Sequence, residues 1–383
     1  MRVGLFTNNY LPMLGGVARA VETVRTTLIA LGHEPVVIAP RMAGAVRSTA
    51  SVVRVPAVPA PTYPEFSLPL PLAPAVARRI EALDLDVFHA QHPFLLGATA
   101  RRLARRLGRP LVFTYHTLYD KYAHYVPLPP RLVAGQAVAW STRFANAADV
   151  VIAPSAGLAH RLEVQGVRRP IIVLPTGVDL DRFRPGDPVA ARAALGLPAA
   201  LPLCLYVGRL DREKNLEFLL AAFDRIAARH PTVELVMVGR GTREAMLRRH
   251  AGGLRAGRRV RFVGGVAPDA VSRYYQAADL FLFASTTETQ GLAVLEAMAV
   301  RRPVVAVRAS GVEEAMVDGV TGLLVPEDEE AFAAAALEVL GDADLAEKLA
   351  GGGHEAALGL GAVALGRRLA RLYRSLGWRR AAA

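Results

Sequence analysis

The chain has 383 residues and is 52% hydrophobic, which allows two domains, each with a sizeable core. Its single cysteine, Cys204 in the apolar run LPLCLYVG, excludes a disulfide framework and a cysteine-based metal site, and suits a reducing, cytoplasmic location. Lysine plus arginine is 46 against 34 for aspartate plus glutamate, a net charge of +12. Nucleic acid, an anionic bilayer, a phosphorylated ligand and a compositional bias toward arginine all fit that surplus, so its distribution has to decide.

Met1 runs directly into the strand-like VGLFT, which leaves no room for a signal peptide. No stretch approaches the roughly 18 apolar residues of a membrane span. Val3 to Thr7 reads as a first strand. Gly15 and Gly16 precede a helix whose apolar residues Val17, Val21, Val24, Leu28 and Leu31 recur at helical spacing. A glycine pair there is either a plain turn or a loop whose backbone approaches a phosphate. It is not GxGxxG, so dinucleotide binding is not indicated.

Pro35 to Ala39 is a second strand. Pro56 to Pro74 holds seven prolines and reads as an extended loop, neither helix nor central strand. It is a spacer, or, through Tyr63, Phe66, Leu68 and Leu70, an acceptor or membrane contact. Asp86 to Ala90 is a strand with His89, Gln91 and His92 at its end. In the helix that follows, Leu96, Ala100, Leu103 and Leu107 form an apolar stripe. Arg101, Arg102, Arg105, Arg106 and Arg109 cluster there with no acid among them. They form a solvated face, or a surface for anionic lipid headgroups. Leu111 to Tyr115 delivers His116 at a strand end, where a histidine is structural or part of a site. Tyr119, Tyr122 and Tyr125 follow three apart, with Lys121 and His124, a composition that suits a membrane interface or a carbohydrate platform.

Asp149 to Ala153 closes the first series. The stretch from Gly186, GDPVAARAALGLPAALP, reads as an interdomain linker with a short helix. Pro202 to Val207 opens a second series and leads into GRLDREKN. Arg209 and Lys214 in that loop are surface cations, or a pair able to neutralise a diphosphate. Glu234 to Val238, Val260 to Gly264, Asp279 to Phe283 and Pro303 to Val307 add strands, and their alternation with helices means two parallel-sheet domains. The strand ending at Phe283 turns through Ser285 into a helix that opens at about Gly291. Glu288 and Glu296 sit on either side of that turn. The tail from Ala362 to Arg380 is helical, with Leu365, Leu369, Leu372, Tyr373 and Leu376 on one side and Arg367, Arg368, Arg371 and Arg374 on another.

The EX7E spacing of Glu288 and Glu296, the string ETQGL, GRLDREKN and the segment HPFLLG…FTYHTLYDKYAHY together resemble retaining glycosyltransferases of family 4. The last segment is similar to the subgroup that glucosylates diacylglycerol. The resemblance implies the GT-B architecture, two Rossmann-like domains facing across a cleft. The expected boundaries are 1–185 for an acceptor-binding domain, 186–200 for a linker, 201–361 for a nucleotide-sugar domain, and 362–383 for a helix packing back on the first domain. It implies that Glu288 and the amides of Gln290, Gly291 and Leu292 hold the donor sugar, and that Glu296 holds the ribose. Arg209, Lys214 and the Gly15-Gly16 loop would face the diphosphate, and His116 would lie near the reacting carbon. Arg101, Arg102, Arg105, Arg106, Tyr119, Tyr122 and Tyr125 would serve the membrane and the acceptor.

The activity so implied moves glucose from UDP-glucose to the 3-hydroxyl of 1,2-diacylglycerol on the inner face of the cell membrane. The alternatives are another nucleotide sugar with another lipid or a soluble acceptor, or a nucleotide-sugar epimerase. The Asp-x-Asp pairs Asp84/Asp86 and Asp179/Asp181 are the candidate metal ligands, and both read as structural. No essential metal or cofactor is therefore expected. No helix-turn-helix, zinc or RNA-binding motif supports nucleic acid as a partner.

Overall fold

Short, almost wholly apolar runs such as LCLYV and LFLF are buried along their whole length, the pattern of parallel strands covered on both faces. The computed structural model describes all residues except 14, 43, 46, 47, 61, 62, 71–73, 122–128, 382 and 383. It divides into two units, Met1–Gly177 with Ala362–Ala383, and Val178–Gly361.

The first unit runs β1 (Arg2–Phe6), α1 (Gly16–Ala30), β2 (Glu34–Pro40), β3 (Val52–Val55), β4 (Ala57–Ala60), β5 (Tyr63–Pro69), α2 (Pro74–Glu81), β6 (Val87–Ala90), α3 (Leu96–Arg106), β7 (Leu111–Thr114), α4 (Pro130–Ala145), β8 (Val150–Ala153), α5 (Ala156–Val164) and β9 (Ile171–Val173). The second runs α6 (Pro188–Leu195), β10 (Leu203–Val207), α7 (Leu216–Arg229), β11 (Glu234–Val238), α8 (Glu244–Gly252), β12 (Val260–Gly264), α9 (Val271–Ala277), β13 (Leu280–Phe283), α10 (Leu292–Ala299), β14 (Val304–Val307), α11 (Ser310–Glu313), β15 (Leu323–Val325), α12 (Glu329–Gly341) and α13 (Ala343–Leu358). The chain then returns to the first unit as α14 (Ala362–Ala381).

The large sheet of the first unit is parallel, in the order β3-β2-β1-β6-β7-β8-β9. The step from β1 to β2 and the step from β6 to β7 run in opposite directions along it. Right-handed crossovers therefore put α1 and α3 on opposite faces. The core under α2, α3, α4 and α5 is one cluster built on Ile80, Leu103, Phe113, Phe144 and Leu162. On the other face α14 packs against α1, close enough that a Cβ on Gly366 would stand 2.2 Å from Thr27 Cγ2. The tail helix thus packs on the first unit.

Two expectations need correction. The proline-rich stretch is not all loop: β4 and β5 pair as an antiparallel hairpin outside the large sheets. Proline is tolerated there because no central ladder needs its missing N–H. Residues 186–200 are not a linker, and the first unit stops at Gly177 rather than at 185. Ala191 of α6 lies in the second unit's core. Arg192 donates to Ala277 O at 2.8 Å and to Asp279 Oδ2 at 2.6 Å, which ties α6 to α9 and β13. The second unit's sheet, also parallel, has the order β12-β11-β10-β13-β14-β15.

Candidate active site

From β10 the chain moves outward to β11 and β12, then returns to the other side of β10 as β13. The loops leaving the carboxyl ends of β10 and β13 therefore part in opposite directions, and a crevice opens where they diverge. Arg209 and Lys214 follow β10, and Glu288 follows β13. The sequence could only place these three in loops; the topology brings them to one sheet edge.

Lys214 Nζ donates to Glu288 Oε1 at 2.5 Å. Arg209 is held by two carboxylates, Asp211 at 2.6 Å and Glu213. Asp211 is 1% exposed, and its second oxygen accepts the N–H and hydroxyl of Thr242 at 2.7 and 2.8 Å. It thereby joins the β10 loop to the loop after β11. The hydroxyls of Ser285 and Thr287 each donate to Glu213 O at 3.3 Å and stitch the β13 loop to the β10 loop. Burial alone would raise the pKa of Glu288. The charge and hydrogen bond of Lys214, helped by a hydrogen bond from Ser285 and the charge of Arg209, outweigh it and hold the carboxyl below its usual range.

Gly291 caps α10 with φ at +73°, a left-handed conformation that favours glycine. Gln290, just before it, is buried, and Leu292 is the first residue of the helix. A Cβ on Gly311 would stand 2.2 Å from Glu288 O, so glycine at the start of α11 lets the Glu288 loop pass. Glu296 is 5% exposed, and its Oε2 accepts from the Tyr275 hydroxyl at 2.8 Å. The Tyr275 ring is itself fixed by Phe183 and Phe281, at centroid distances of 5.8 and 5.3 Å. Asp211, Glu213, Ser285, Tyr275 and Gly311 escape a reading of the sequence. The first two stand inside GRLDREKN, where the spacing of acid and base alone could have flagged them.

The first unit has its own reversal of strand order, at β1 and β6. Gly15 is extended, and a Cβ on Gly16 would meet nothing within 4 Å, so the chain's own packing does not demand glycine at Gly16. His116 stands beyond the end of β7 with its Nε2 2.7 Å from Gln91 Oε1. Burial pushes its pKa down to about 4, so the ring is neutral. His89, pushed to about 3 by burial and then by the charge of His116, bridges Thr114 Oγ1 at 2.6 Å and the Tyr373 hydroxyl at 2.7 Å. His89, Gln91, Thr114 and His116 line a small cavity of about 40 Å³, together with Thr23 and Thr27 of α1 and Leu365 and Leu369 of α14.

Residues 14–182 match the model of Glycosyltransferase Family 4, and residues 201–342 that of Glycosyl transferases group 1. An alpha-monoglucosyldiacylglycerol synthase of Streptococcus pneumoniae is 33% identical over 320 residues, 80% of this chain and 71% of that protein. One of Acholeplasma laidlawii is 30% identical over 347 residues, 86% of each chain. The chain is a family 4 glycosyltransferase. A GDP-mannose-dependent alpha-mannosyltransferase of Mycobacterium tuberculosis is 32% identical over 332 residues, 85% of this chain and 84% of that one. Among solved structures, a sucrose-phosphate synthase of Thermosynechococcus elongatus superimposes with a TM-score of 0.81 at 26% identity, covering 98% of both chains. The Anabaena protein HepE, in complex with UDP-glucose, gives 0.80 at 21% identity, covering 98% of this chain and 100% of that one. The two parallel-sheet α/β units are thus those of GT-B enzymes, and this glycosyltransferase is a hexosyltransferase that uses a nucleotide sugar.

Some residues expected to serve the membrane and the acceptor lie elsewhere in this glycosyltransferase. Tyr119 is 9% exposed and its ring packs between Phe94 and Tyr115, each at 5.3 Å, so it is a core residue and not a surface platform. Tyr122 and Tyr125 lie outside the described residues. The arginine run of α3 is acid-free in sequence but not in space. Arg106 pairs with Glu81 at the end of α2, and Arg109 pairs with Asp84 at 3.0 Å. Arg101, Arg102 and Arg105 are exposed, and the Arg101 guanidinium lies over the Phe144 ring at 5.9 Å.

One aspartate of each Asp-x-Asp pair accepts a backbone N–H. Asp86 accepts Arg2 N at 2.8 Å, and Asp179 accepts Arg182 N at 3.1 Å. Among the described residues, no three His, Cys, Asp or Glu side chains group as metal ligands, and no helix is long and apolar enough to cross a membrane.

Proposed function

We propose that this glycosyltransferase moves glucose from UDP-glucose to the 3-hydroxyl of diacylglycerol, with retention, at an anionic membrane surface. The observation that carries the reading is the Lys214–Glu288 pair at the β10/β13 reversal. A departing diphosphate needs a cation, and the hydroxyls of a sugar need a carboxylate. The pair holds one of each in a single contact.

When the donor binds, Lys214 exchanges the Glu288 carboxylate for phosphate oxygens, and Glu288 accepts from sugar hydroxyls. Arg209, oriented by Asp211 and Glu213, adds charge to the diphosphate as the bond to the anomeric carbon stretches. Protein cations then carry the leaving group's charge and no metal is required. Gln290, Gly291 and Leu292 contribute backbone amides at the start of α10, and Glu296 takes the ribose. The acceptor oxygen attacks the face the diphosphate leaves, and its proton passes to the departing phosphate. His116 contacts the sugar as a neutral ring, with Gln91 fixing its Nε2. Gly15 and Gly16 turn backbone toward the phosphates.

The names of the Streptococcus and Acholeplasma relatives support glucose and diacylglycerol. The GDP-mannose-dependent relative favours a second reading, in which the same cations serve another nucleotide sugar. Product analysis decides. The protein is incubated with UDP-glucose or GDP-mannose and with diacylglycerol in anionic vesicles. Formation of α-glucosyldiacylglycerol from UDP-glucose is the expected outcome. Turnover with GDP-mannose alone, or with soluble acceptors alone, would refute it.

A further inference from the structure

Helix α4 has an unusual surface for a helix of a folded domain. No side chain from 131 to 140 is buried. Ala137 packs partly against the core, and burial is complete only at Ser141, Phe144 and Ala145. Leu132 is 69% exposed and Trp140 56%, and their spacing, with Gln136 between them, puts both on one outward stripe. The Trp140 ring lies tilted against Phe94, at a centroid distance of 6.2 Å, which anchors the ring without covering it.

The charges around this stripe are mostly of one sign, and the nearby acid Asp120 is paired with Arg161 at 2.9 Å. Neither α3 nor α4 contains an acidic residue. Arg101 stacks on Phe144 of α4, so the arginine face of α3 borders the α4 stripe. Arg105 stands one turn along on the same side of α3, while Arg106 turns toward α2 and its partner Glu81. Arg131 and Arg143 are exposed at the two ends of α4. A core-packed helix has no use for an outward leucine and tryptophan, and an ordinary solvated face would mix both signs of charge. An interfacial helix needs this combination: apolar side chains that enter the acyl boundary, an amphipathic aromatic at the headgroup level, and arginines facing anionic headgroups.

We infer that α4 is the element by which this protein inserts into an anionic bilayer, with Leu132 and Trp140 entering the membrane and Arg101, Arg105, Arg131 and Arg143 binding headgroups. This rests on the reading that the acceptor is a membrane lipid. It shifts the contact from the tyrosine segment and the whole of the α3 run to a helix that sequence pattern does not single out.

The chain has two tryptophans, Trp140 and Trp378, so Trp378→Phe leaves Trp140 as the sole reporter. The full-length variant is mixed with vesicles of phosphatidylcholine, alone or with phosphatidylglycerol. Emission, quenching by bromine-labelled acyl chains and co-sedimentation are measured together. The expected result is a blue shift and acyl-chain quenching with anionic vesicles only. Leu132→Ser with Trp140→Ser should weaken partitioning into the vesicles by at least about 10²-fold, on the transfer cost of two large apolar side chains. Its thermal unfolding should be unchanged, because both positions are exposed.

Sedimentation with an unshifted, unquenched Trp140 would overturn the inference and leave the lipid-acceptor reading standing, since another surface would then be docking. A shift that follows protein concentration without lipid would also overturn it, by showing that a second copy covers the stripe. No sedimentation of the parent protein would sink both.

Discussion

Replacing Lys214 by alanine removes the cation 2.5 Å from Glu288 Oε1. The two side chains are 13% and 19% exposed, so the pair is largely withdrawn from water. Glu288 is held below its ordinary pKa, so its contribution to stability is present above the unfolded carboxylate range. It is lost as pH falls through the folded value. Without Lys214 the burial remains and the balance reverses. The carboxyl is then raised, its charge costs stability at neutral pH, and protonation relieves that cost as pH falls. Breaking one side of a fully buried pair costs about 3–5 kcal/mol, and the residual exposure here puts the loss at about 2–3 kcal/mol near neutrality. Losing one contact to the leaving group costs about 3 kcal/mol in the transition state, or about 10²-fold in kcat/KM. The assay is denaturant unfolding of parent and variant at about pH 7.5 and about pH 4, alongside steady-state kinetics. The variant's stability deficit should shrink at the lower pH. Lys214→Met combined with Glu288→Gln should recover stability without activity. A deficit equal at both pH values, or kcat/KM within about threefold of the parent, would refute the reasoning.

Arg209→Ala should lower kcat by about 10²-fold, and it should also loosen the fold, because Asp211 and Glu213 are buried and lose their cation. A fully stable Arg209→Ala would show that those acids do not depend on it. Tyr275→Phe removes the hydroxyl held 2.8 Å from Glu296 Oε2, and should raise the KM for the nucleotide sugar by about tenfold while kcat changes little. An unchanged KM would mean that Glu296 is positioned without it. Activity should survive EDTA if, as proposed, Arg209 and Lys214 carry the leaving group's charge. Loss on chelation with recovery in Mg²⁺ or Mn²⁺ would reopen the question of a metal site.

Strand ends were the most legible part of this chain. Parallel strands covered on both faces are continuous apolar runs, so Leu280–Phe283 and the placement of His116 just past the strand before it follow from composition alone. The site was legible as residue types in loops, and its wiring was not. Which acid takes which cation depends on the reversal of strand order at β10 and β13, a property of the whole sheet. The acid-free arginine run misled because Glu81 lies in a different helix and reaches Arg106 only through the fold. The tyrosine spacing misled because a three-residue repeat says nothing about which side faces the core, and Tyr119 took the inner side. The linker was misread because GDPVAARAALG has the composition of a spacer. One turn of its helix nevertheless buries Ala191 and sends Arg192 to Asp279. Helix α4 is not legible as a surface because Leu132 and Trp140 share its outward face with Arg131, Gln136 and Arg143, which removes the contrast that an amphipathic pattern depends on.

The net charge of +12 can now be located. At the β10/β13 edge the cations Arg209 and Lys214 meet the carboxylates Asp211, Glu213 and Glu288, so the donor site holds no surplus of positive charge. On the proposed reading a diphosphate would bind there by exchange of partners at short range, which added salt would screen little because the groups are mostly buried. The surplus lies instead on exposed helices. On α14 the arginines Arg367, Arg368, Arg371 and Arg374 occupy the sheet face opposite α3 and α4, so one flat membrane cannot engage both sets equally. Only the α3/α4 set accompanies exposed Leu132 and Trp140. Charge alone would allow docking on either face. Both faces also expose aliphatic side chains, Val363 and Ile29 beside the α14 arginines and Leu132 beside those of α3 and α4. Among the described residues only the second face carries an exposed aromatic, Trp140, and on that ground the inferred docking face is α4 rather than α14.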